Sequence, residues 1–166
     1  MKCHSCNQNA VLQLPNSEAA LCKKHFSVYF EKKVRRTIRA YGMIGKNEKV
    51  GVACSGGKDS MSLLFMLHKI FKPTKVQLIA LAIDEGIGGY RDPNFVFLTE
   101  FCKKNNIPLH TYSFKREMGK TLDEIKKKDS ETIPCTYCGV FRRKILNEKA
   151  LKLGLDKIAT GHNLDD

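Results

Sequence analysis

The stretch KVGVACSGGKDSMSLLFMLHKIF, residues 49–71, contains the segment that decides the fold. Its first six residues, KVGVAC, form a short apolar run that predicts a buried strand. A loop of small residues, SGGKDS, follows at 55–60, and the apolar run SLLFMLHKIF at 62–71 predicts a helix. Small residues let the backbone approach a phosphate, and a helix N-terminus offers N–H groups and a positive dipole end. The stretch therefore predicts a strand, an anion-binding loop and a helix.

The polar side chains of this loop fit a phosphate ligand. Lys58 supplies a point charge, and Ser55 and Ser60 supply hydroxyl donors. A Walker A loop is excluded, because it needs Gly six positions before the Lys and Ser or Thr directly after it, where this chain has Val52 and Asp59. A glycine-rich turn that binds nothing is the structural alternative.

Outside this stretch, apolar strands alternate with helices along the chain. The run VQLIALAI, residues 76–83, predicts a second buried strand, and further strands are predicted at 109–114 and from residue 156 to 160. Helices are predicted over about 93–105 and over 138–153. Such alternation is typical of an α/β domain with a parallel sheet covered on both faces.

The first 25 residues contain few core-forming side chains but a metal-binding pattern. Cys3-x-x-Cys6 is followed by Cys22-x-x-His25, and two such pairs joined by a loop can surround one ion tetrahedrally. Thiolates and an imidazole suit zinc, and four protein ligands would make the site structural. His4 is a competing ligand, but it lies inside its own Cys loop. Buried cysteines beside a surface histidine are the alternative.

We expect three segments along the chain. Residues 1–26 form a zinc module, residues 27–47 a basic connecting helix, and residues 48–166 the α/β domain. The helix is predicted over 26–41, with an apolar face at Phe30, Val34, Ile38 and Tyr41 and a stop signal at Gly42. The run from Lys126 to Pro134 is predicted to be a mobile loop.

The charge balance indicates a polyanionic partner. Lys and Arg total 29 against 17 acidic residues among 166, for a net charge of +12. Such an excess favours nucleic acid, although a generally basic surface gives the same count. No apolar run approaches the roughly 20 residues that cross a bilayer, and the first residues lack the apolar stretch of a signal peptide. We therefore expect a cytoplasmic protein with no membrane partner.

A second C-x-x-C pair, Cys135 and Cys138 in PCTYCG, precedes the predicted helix at 138–153. A helix N-terminus lowers thiol pKa values, which favours nucleophiles and metal ligands. A redox dithiol, half of a zinc site and part of an iron–sulfur cluster are the three interpretations. No second pair remains to complete a zinc site unless the N-terminal one is broken, and composition does not separate the other two. Val140, Phe141, Ile145 and Leu146 are predicted to face inward, whereas Arg142, Arg143, Lys144, Lys149 and Lys152 form a basic face that suits nucleic acid or is simply solvated.

Other candidates have simpler interpretations. Cys54 and Cys102 stand alone, and we expect both to belong to core elements. For Cys54, a packed small residue is favoured over a sulfur carrier. Asp84 and Glu85 could form an acid–base pair, but adjacent carboxylates at a strand end are more often loop or capping groups.

Five motifs in this order carry a family resemblance. They are CxxC…CxxH before a basic helix, SGGKDS, IDEGIGGYR at 83–91, PCTYCG with GVFRR, and GHNLDD at 161–166. SGGKDS resembles the pyrophosphatase loop of the PP-loop ATPases, and the set resembles the TtuA and NcsA branch of tRNA 2-thiolation enzymes, with TtcA a wider relative. The resemblance implies a Rossmann-like parallel sheet of the HUP type, preceded by the zinc module.

The resemblance also implies a reaction. ATP adenylates the C2 oxygen of a tRNA pyrimidine with release of pyrophosphate, and sulfur then displaces AMP. The implied cofactors are ATP, Mg²⁺, Zn²⁺ and a [4Fe-4S] cluster. The implied partners are tRNA and a ubiquitin-like sulfur carrier protein or a sulfide source, and we expect a homodimer.

Site residues carry over by position in the motifs. The resemblance makes Cys135 and Cys138 cluster ligands, and Asp59 or Asp166 could orient Mg²⁺ against the phosphates. Arg142 could neutralise charge at the reacting centre. The implied nucleotide-binding residues are Ser55, Gly56, Gly57, Lys58, Asp59 and Ser60 for the phosphates, Ala53, Cys54 and Ile83 at strand ends, and Gly161 with Asp166 in the second motif.

The family pattern continues beyond Asp166. It normally adds a third cluster cysteine, the last strands of the sheet and a second zinc module. We therefore expect this chain to be the N-terminal portion of a longer enzyme, with the sheet incomplete at its C-terminus. The alternatives are another PP-loop ATPase, such as a lysidine synthetase or an amidotransferase-type ligase, and a non-catalytic RNA-binding zinc protein.

Overall fold

The computed structural model describes residues 1–15, 17–87, 92–128 and 134–163, without the side chains of residues 92, 93, 128 and 134–136. The chain divides into two compact units, Met1–Ile44 and Gly45–Asp166. Within the described residues, no helix is both long enough and apolar enough to span a bilayer.

The first unit is a small hairpin followed by a long helix. Strands β1 (Leu12–Gln13) and β2 (Ala20–Leu21) pair antiparallel, and α1 follows as Lys23–Ala40. The hairpin places Leu21 and Cys22 in a small cluster with Cys3, against which Phe26 and Tyr29 of the helix pack. So small an apolar cluster is a weak core, which is typical of modules stabilised by a metal.

The second unit is built on a four-stranded parallel sheet with the order β5-β4-β3-β6. The crossovers between these strands contain helices, as parallel pairing requires. In chain order, the elements are β3 (Lys49–Ala53), α2 (Lys58–Phe71), β4 (Gln77–Asp84), α3 (Asp92–Asn105), β5 (Leu109–Ser113), α4 (Phe114–Met118), α5 (Leu122–Lys128), α6 (Pro134–Leu153) and β6 (Lys157–Ala159).

The core lies against the central strands, whose residues are apolar on both faces. Val52, Ala80 and Leu81 are almost completely buried. One cluster of the core joins β4 to α4, α5 and α6, and it comprises Ile79, Leu81, Ile83, Phe114, Leu122, Ile145 and Leu146. The predicted α/β fold with a parallel sheet is confirmed, and every strand predicted in this unit is present to within about one residue at either end.

Several local predictions were wrong. Helix α1 begins at Lys23 rather than residue 26, and Phe30 and Tyr41, predicted to lie on its apolar face, are exposed. Residues 126–128 of the predicted mobile loop end helix α5, while 129–133 lie outside the described residues. Val140 is 50% exposed instead of facing inward. In each case the neighbours in three dimensions, rather than local periodicity, decide the outcome.

Candidate functional site

The Ser55–Ser60 loop connects β3 to α2 and is held together by hydroxyl groups. The Ser55 N–H donates to Ser60 Oγ over 3.2 Å, and the Ser60 hydroxyl donates to the Gly57 carbonyl over 3.0 Å. Gly56 has a φ of +80°, and a Cβ there would lie 2.6 Å from Asn94 Cβ and 2.8 Å from the Asn94 carbonyl oxygen. Only glycine fits this point of the loop, because both the backbone angle and the available space exclude a side chain.

The loop ends at the N-terminus of α2, which begins at Lys58. The first turn of a helix presents N–H groups that have no intrahelical acceptor, together with the positive end of the dipole. Gly161, after β6, lies directly against this turn, since a Cβ there would be 3.0 Å from the Ser60 nitrogen. The arrangement is an anion-binding helix terminus at the carboxyl edge of the parallel sheet.

A cavity of about 340 Å³ opens at this edge. It is lined by the loop, by the ends of β3 and β4, by α6 between Gly139 and Leu146 and by the segment after β6. Gly139, Arg142, Arg143, Thr160 and His162 join the loop residues in its wall. The family resemblance implies ten nucleotide-binding residues within the described part of the chain, and all of them except Gly56 line the cavity. The nine that do so are Ala53, Cys54, Ser55, Gly57, Lys58, Asp59, Ser60, Ile83 and Gly161.

The two isolated cysteines are packed in the core, as expected. Cys54 is 3% exposed and Cys102 is 2% exposed. The Cys54 thiol donates to the Val52 carbonyl, and burial raises its pKa to about 12. A thiol held in its protonated form is a poor nucleophile. Cys54 therefore contributes to the wall of the cavity as a packed small residue.

Helix α6 begins at Pro134, so both residues of the second C-x-x-C pair lie in its first two turns. The side chain of Cys135 lies outside the described residues, and so does all of Asp166. Cys138 is partly buried, and its Sγ accepts a hydrogen bond of 3.2 Å from Arg142 Nη2. Residues four apart share one face of a helix, which places Cys138 and Arg142 on the same side.

Glu85, which the sequence suggested was a loop or capping group, is instead buried and paired with Arg142. It is only 1% exposed, and its Oε1 accepts a hydrogen bond of 2.5 Å from the same Arg142 Nη2 that contacts Cys138. Burial opposes the charge on Arg142, but Glu85 and Cys138 outweigh it and raise the pKa of the guanidinium. The signals in the sequence were the position of Glu85 directly after a buried strand, next to Asp84, and its place in the IDEGIGGYR motif. Asp84, in contrast, accepts from the Gly86 N–H, as predicted for a loop group.

The four predicted metal ligands of the first unit converge on one point. The ligand atoms of Cys3, Cys6, Cys22 and His25 all lie within 4.8 Å of one another. The His25 Nδ1 is 3.4 Å from both Cys3 Sγ and Cys22 Sγ, and the Sγ atoms of Cys6 and Cys22 are 3.8 Å apart. A tetrahedral zinc ion requires edges of about 3.8 Å between sulfurs and about 3.5 Å between sulfur and nitrogen. The distances match.

Local structure explains how these ligands meet. The Cys6 N–H donates to the Cys3 carbonyl and closes a tight turn, while Cys22 is the N-cap of α1 and His25 lies in its first turn. Burial raises the pKa of Cys3, but backbone N–H groups of Cys22 and Ser5 and the His25 ring lower it to about 6 overall. Thiolates are the form that binds metal.

The basic residues of α1 form a patch on the first unit. Lys32, Arg36 and Arg39 line a shallow depression together with Arg35. Residues at this spacing lie on one face of a helix. Glu31, the one acid among residues 23–39, pairs with Arg35 over 2.8 Å, so part of the positive charge of Arg35 is offset. Lys32, Arg36 and Arg39 are the strongest candidates for phosphate contacts.

The comparisons with known proteins agree with this geometry. A family model described as a PP-loop domain matches residues 27–166. The tRNA-5-methyluridine(54) 2-sulfurtransferase of Pyrococcus horikoshii is 39% identical over 166 residues, which are all of this chain and 51% of that protein. The tRNA 2-thiolation protein NcsA of Haloferax volcanii is also 39% identical, over all of this chain and 54% of its own length.

A solved structure supports the same grouping. The U34-tRNA thiolase NcsA from Methanococcus maripaludis, solved with its [4Fe-4S] cluster, has a TM-score of 0.87 and 36% identity over all of this chain and 54% of its own. The chain thus spans about half the length of the relatives it matches. The similarity to these relatives extends over both units. Because the family model covers the whole α/β unit, which contains the phosphate loop, the chain belongs to the PP-loop family.

Proposed function

We propose that this chain is the ATP-binding portion of an ATP-dependent tRNA 2-thiolation enzyme. The C2 oxygen of a tRNA pyrimidine attacks the α-phosphorus of ATP and releases pyrophosphate, and a sulfur nucleophile then attacks C2 and displaces AMP. One observation carries the proposal: the Ser55–Ser60 loop and Arg142 of the cysteine helix line a single cavity, and the same Arg142 donates a hydrogen bond to Cys138 Sγ. Activation of an oxygen and delivery of sulfur at one carbon require that the two sites be adjacent.

In this proposal the loop binds the phosphates of ATP. The α2 N-terminus and Lys58 attract the negative charge, and the Ser60 hydroxyl keeps the loop in shape. Asp59 lies at the mouth of the loop, where its carboxylate pairs with Lys58 and is 53% exposed. An exposed carboxylate beside bound phosphates suits Mg²⁺, which retains several waters and uses one or two carboxylates. We propose Asp59 for this role, with Asp166 as the second candidate.

The cysteine helix suits an iron–sulfur cluster held by Cys135 and Cys138. Two thiolates one turn apart at a helix N-terminus, with a guanidinium donating to one of them, make a donor set that fits the group. When bound, such a cluster would supply an iron site able to carry sulfur. The residues of this chain would hold it beside the cavity, and Arg142 would balance negative charge at the reacting base. The [4Fe-4S] cluster of the Methanococcus maripaludis thiolase supports the assignment.

For the first unit we propose one structural zinc ion at Cys3, Cys6, Cys22 and His25. All four positions around the metal are then protein ligands, so no site remains for a substrate. We also retain the predicted division into a zinc module at 1–26, a basic helix at 27–47 and a PP-loop domain at 48–166. Zinc would stabilise the module that carries the basic helix.

The nucleic-acid partner we propose is tRNA, bound in part through Lys32, Arg36 and Arg39. Phosphate contacts of this kind provide most of the affinity and little of the specificity. By the family resemblance we further propose a ubiquitin-like sulfur carrier or sulfide as the sulfur source, and a homodimer. The Xenopus laevis relative is named a cytoplasmic tRNA 2-thiolation protein, which supports a cytoplasmic location.

The products of ATP cleavage test the reaction. The protein should convert ATP to AMP and pyrophosphate in the presence of tRNA, and Lys58→Ala should reduce the rate. Lys75→Ala is the matched control, because Lys75 precedes β4 and so lies at the opposite edge of the sheet from the loop. Formation of ADP and phosphate would contradict the proposal. AMP production from a different acceptor would favour another PP-loop ATPase, and tRNA binding without ATP cleavage would favour a non-catalytic RNA-binding zinc protein.

A further inference from the structure

Glu85 occupies a position that its neighbours fix from several sides. Its carbonyl accepts the Leu122 N–H of α5 over 2.8 Å, and the next residue, Gly86, donates to the Asp84 carboxylate over 2.8 Å. A Cβ on Gly86 would lie 2.6 Å from the Thr121 side chain. The backbone around Glu85 therefore has little room to shift, and its side chain is directed into the interior, where it is 1% exposed.

A buried carboxylate needs a cation. Transfer of an isolated charge into the protein interior is costly unless the charge is paired and hydrogen-bonded. Among the described residues whose side chains are buried, Glu85 is the one with a carboxyl group. Arg142 Nη2 provides the compensating ion pair, and its side chain, 39% exposed, reaches inward from α6 to do so.

The same nitrogen contacts the sulfur of Cys138. Arg142 lies one turn after Cys138, so helix geometry permits this contact but does not require it. Lys144, on the same helix, pairs instead with Glu148 on the surface, and both side chains are at least half exposed. What distinguishes Arg142 is that Glu85 draws the guanidinium inward, to within 3.2 Å of Cys138 Sγ.

We infer that Glu85 is a positioning residue that holds the Arg142 guanidinium against the Cys138 sulfur. The inference rests on the proposed function, in which Cys138 is a ligand of the cluster. Hydrogen bonds to the sulfur ligands of a cluster raise its reduction potential, and groups that orient a ligand strengthen metal binding. Glu85 thus acts on the cluster through Arg142, without contact to the iron or to the substrate.

The test is a double-mutant cycle on the full-length protein, prepared anaerobically with its cluster. Glu85→Gln keeps the shape of the side chain and removes its charge, and Arg142→Gln removes the donor. Each single change should lower the reduction potential of the cluster and shorten the half-life of iron extraction by a chelator by about tenfold. The double variant should show no further change, because both substitutions interrupt one pathway.

Glu117→Gln is the matched control. Glu117 is also a partly buried carboxylate paired with a cation of α6, but that cation is Lys149, at 2.6 Å, rather than Arg142. This variant should leave the potential unchanged even where it lowers the melting temperature. A merely structural role of Glu85 would give the same pattern as Glu117→Gln.

Three outcomes would overturn the inference. In the first, Glu85→Gln leaves the potential and the extraction half-life unchanged while Arg142→Gln alters them. In the second, the effects of the two substitutions add in the double variant, so that Glu85 acts independently of Arg142. In the third, the unaltered protein binds no iron or keeps it after Cys138→Ala, in which case the proposed function is wrong and the inference falls with it. If Glu85→Gln does not fold, Glu85→Asp takes its place, because a carboxylate shortened by one methylene group is withdrawn from the Arg142 guanidinium, and the same shift is expected.

Discussion

Replacing Gly56 by Ala should destabilise the α/β unit and weaken ATP binding together. A non-glycine residue in the left-handed region costs about 1–2 kcal/mol, and the φ of Gly56 is +80°. The new Cβ would also lie 2.6 Å from Asn94 Cβ and 2.8 Å from the Asn94 carbonyl oxygen, and one of these atoms belongs to the backbone of α3. Overpacking of this kind costs about 1–3 kcal/mol. We therefore expect a loss of about 2–5 kcal/mol of unfolding free energy.

Gly119→Ala separates the two causes. Gly119 has a φ of +76°, almost the same as Gly56, but nothing lies within 4 Å of the position where its Cβ would be. Gly119→Ala should therefore lower the unfolding free energy only by the cost of the left-handed backbone, about 1–2 kcal/mol, and leave ATP binding unchanged. Urea denaturation followed by circular dichroism measures the first quantity, and equilibrium titration with ATP measures the second.

The difference between the two variants isolates the contact with Asn94. We expect Gly56→Ala to weaken ATP binding about tenfold or more, which corresponds to the loss of one hydrogen bond to a charged group. Gly57→Ala provides a further comparison, since its Cβ would meet only Ser55 Oγ at 3.4 Å and should fold normally. If Gly56→Ala lowers the unfolding free energy no more than Gly119→Ala does, then the loop does not approach Asn94 of α3 as closely as the structure indicates.

Three further predictions concern other parts of the chain. Cys22→Ala should release one zinc ion per chain and expose residues 1–25 to protease, because apparent zinc binding contributes on the order of 10 kcal/mol to such modules. Zinc retained in this variant, as measured by metal analysis, would contradict the assignment. The control Cys102→Ala, a change in the core of the other unit, should retain its zinc. Joint replacement of Lys32, Arg36 and Arg39 by Gln should flatten the salt dependence of tRNA binding by about 0.7–0.9 per lost contact in the log–log slope, and an unchanged slope would move the binding face elsewhere, with α6 the next candidate. Burial raises the pKa of Cys54 from 9.0 to about 12, so the protonated thiol favours the folded state. Its contribution to stability is complete below about pH 9 and should be lost as the pH rises toward 12. Between pH 8 and pH 10, the unfolding free energy measured in urea should therefore fall more for the unaltered protein than for Cys54→Ala, and equal falls would count against the buried thiol.

Local patterns were sufficient for the phosphate loop and the sheet. The alternation of apolar runs with helices is a property of adjacent residues, and the glycines and hydroxyls of SGGKDS act within a few residues of one another. The Ser60 hydroxyl, for example, binds groups of Ser55 and Gly57. The helix boundaries were less predictable: α1 begins at Lys23, directly after its N-cap Cys22, whereas the apolar spacing predicts a start at residue 26.

The four ligands of the first unit were also predictable from spacing, since two C-x-x-C/H pairs specify two short loops whatever their surroundings. What spacing could not provide was the role of Glu85. Its partner Arg142 is 57 residues away in the sequence, and no local pattern connects the two. The helix pattern places Arg142 on a basic face and the family resemblance gives it a role at the reacting centre, but neither indicates that it turns partly inward to pair with Glu85.

The sequence alone therefore determined the elements whose causes are local: the alternation of strands and helices, the anion-binding loop and the convergence of Cys3, Cys6, Cys22 and His25. The tertiary structure alone decided which carboxylate is buried, which arginine neutralises it and that Gly161 lies against the start of α2. The physical reason is that the energy of a charged group depends on whether water surrounds it. Water is excluded from Glu85 by the packing of β4, α5 and α6, and these segments are distant in sequence and meet only in the folded protein.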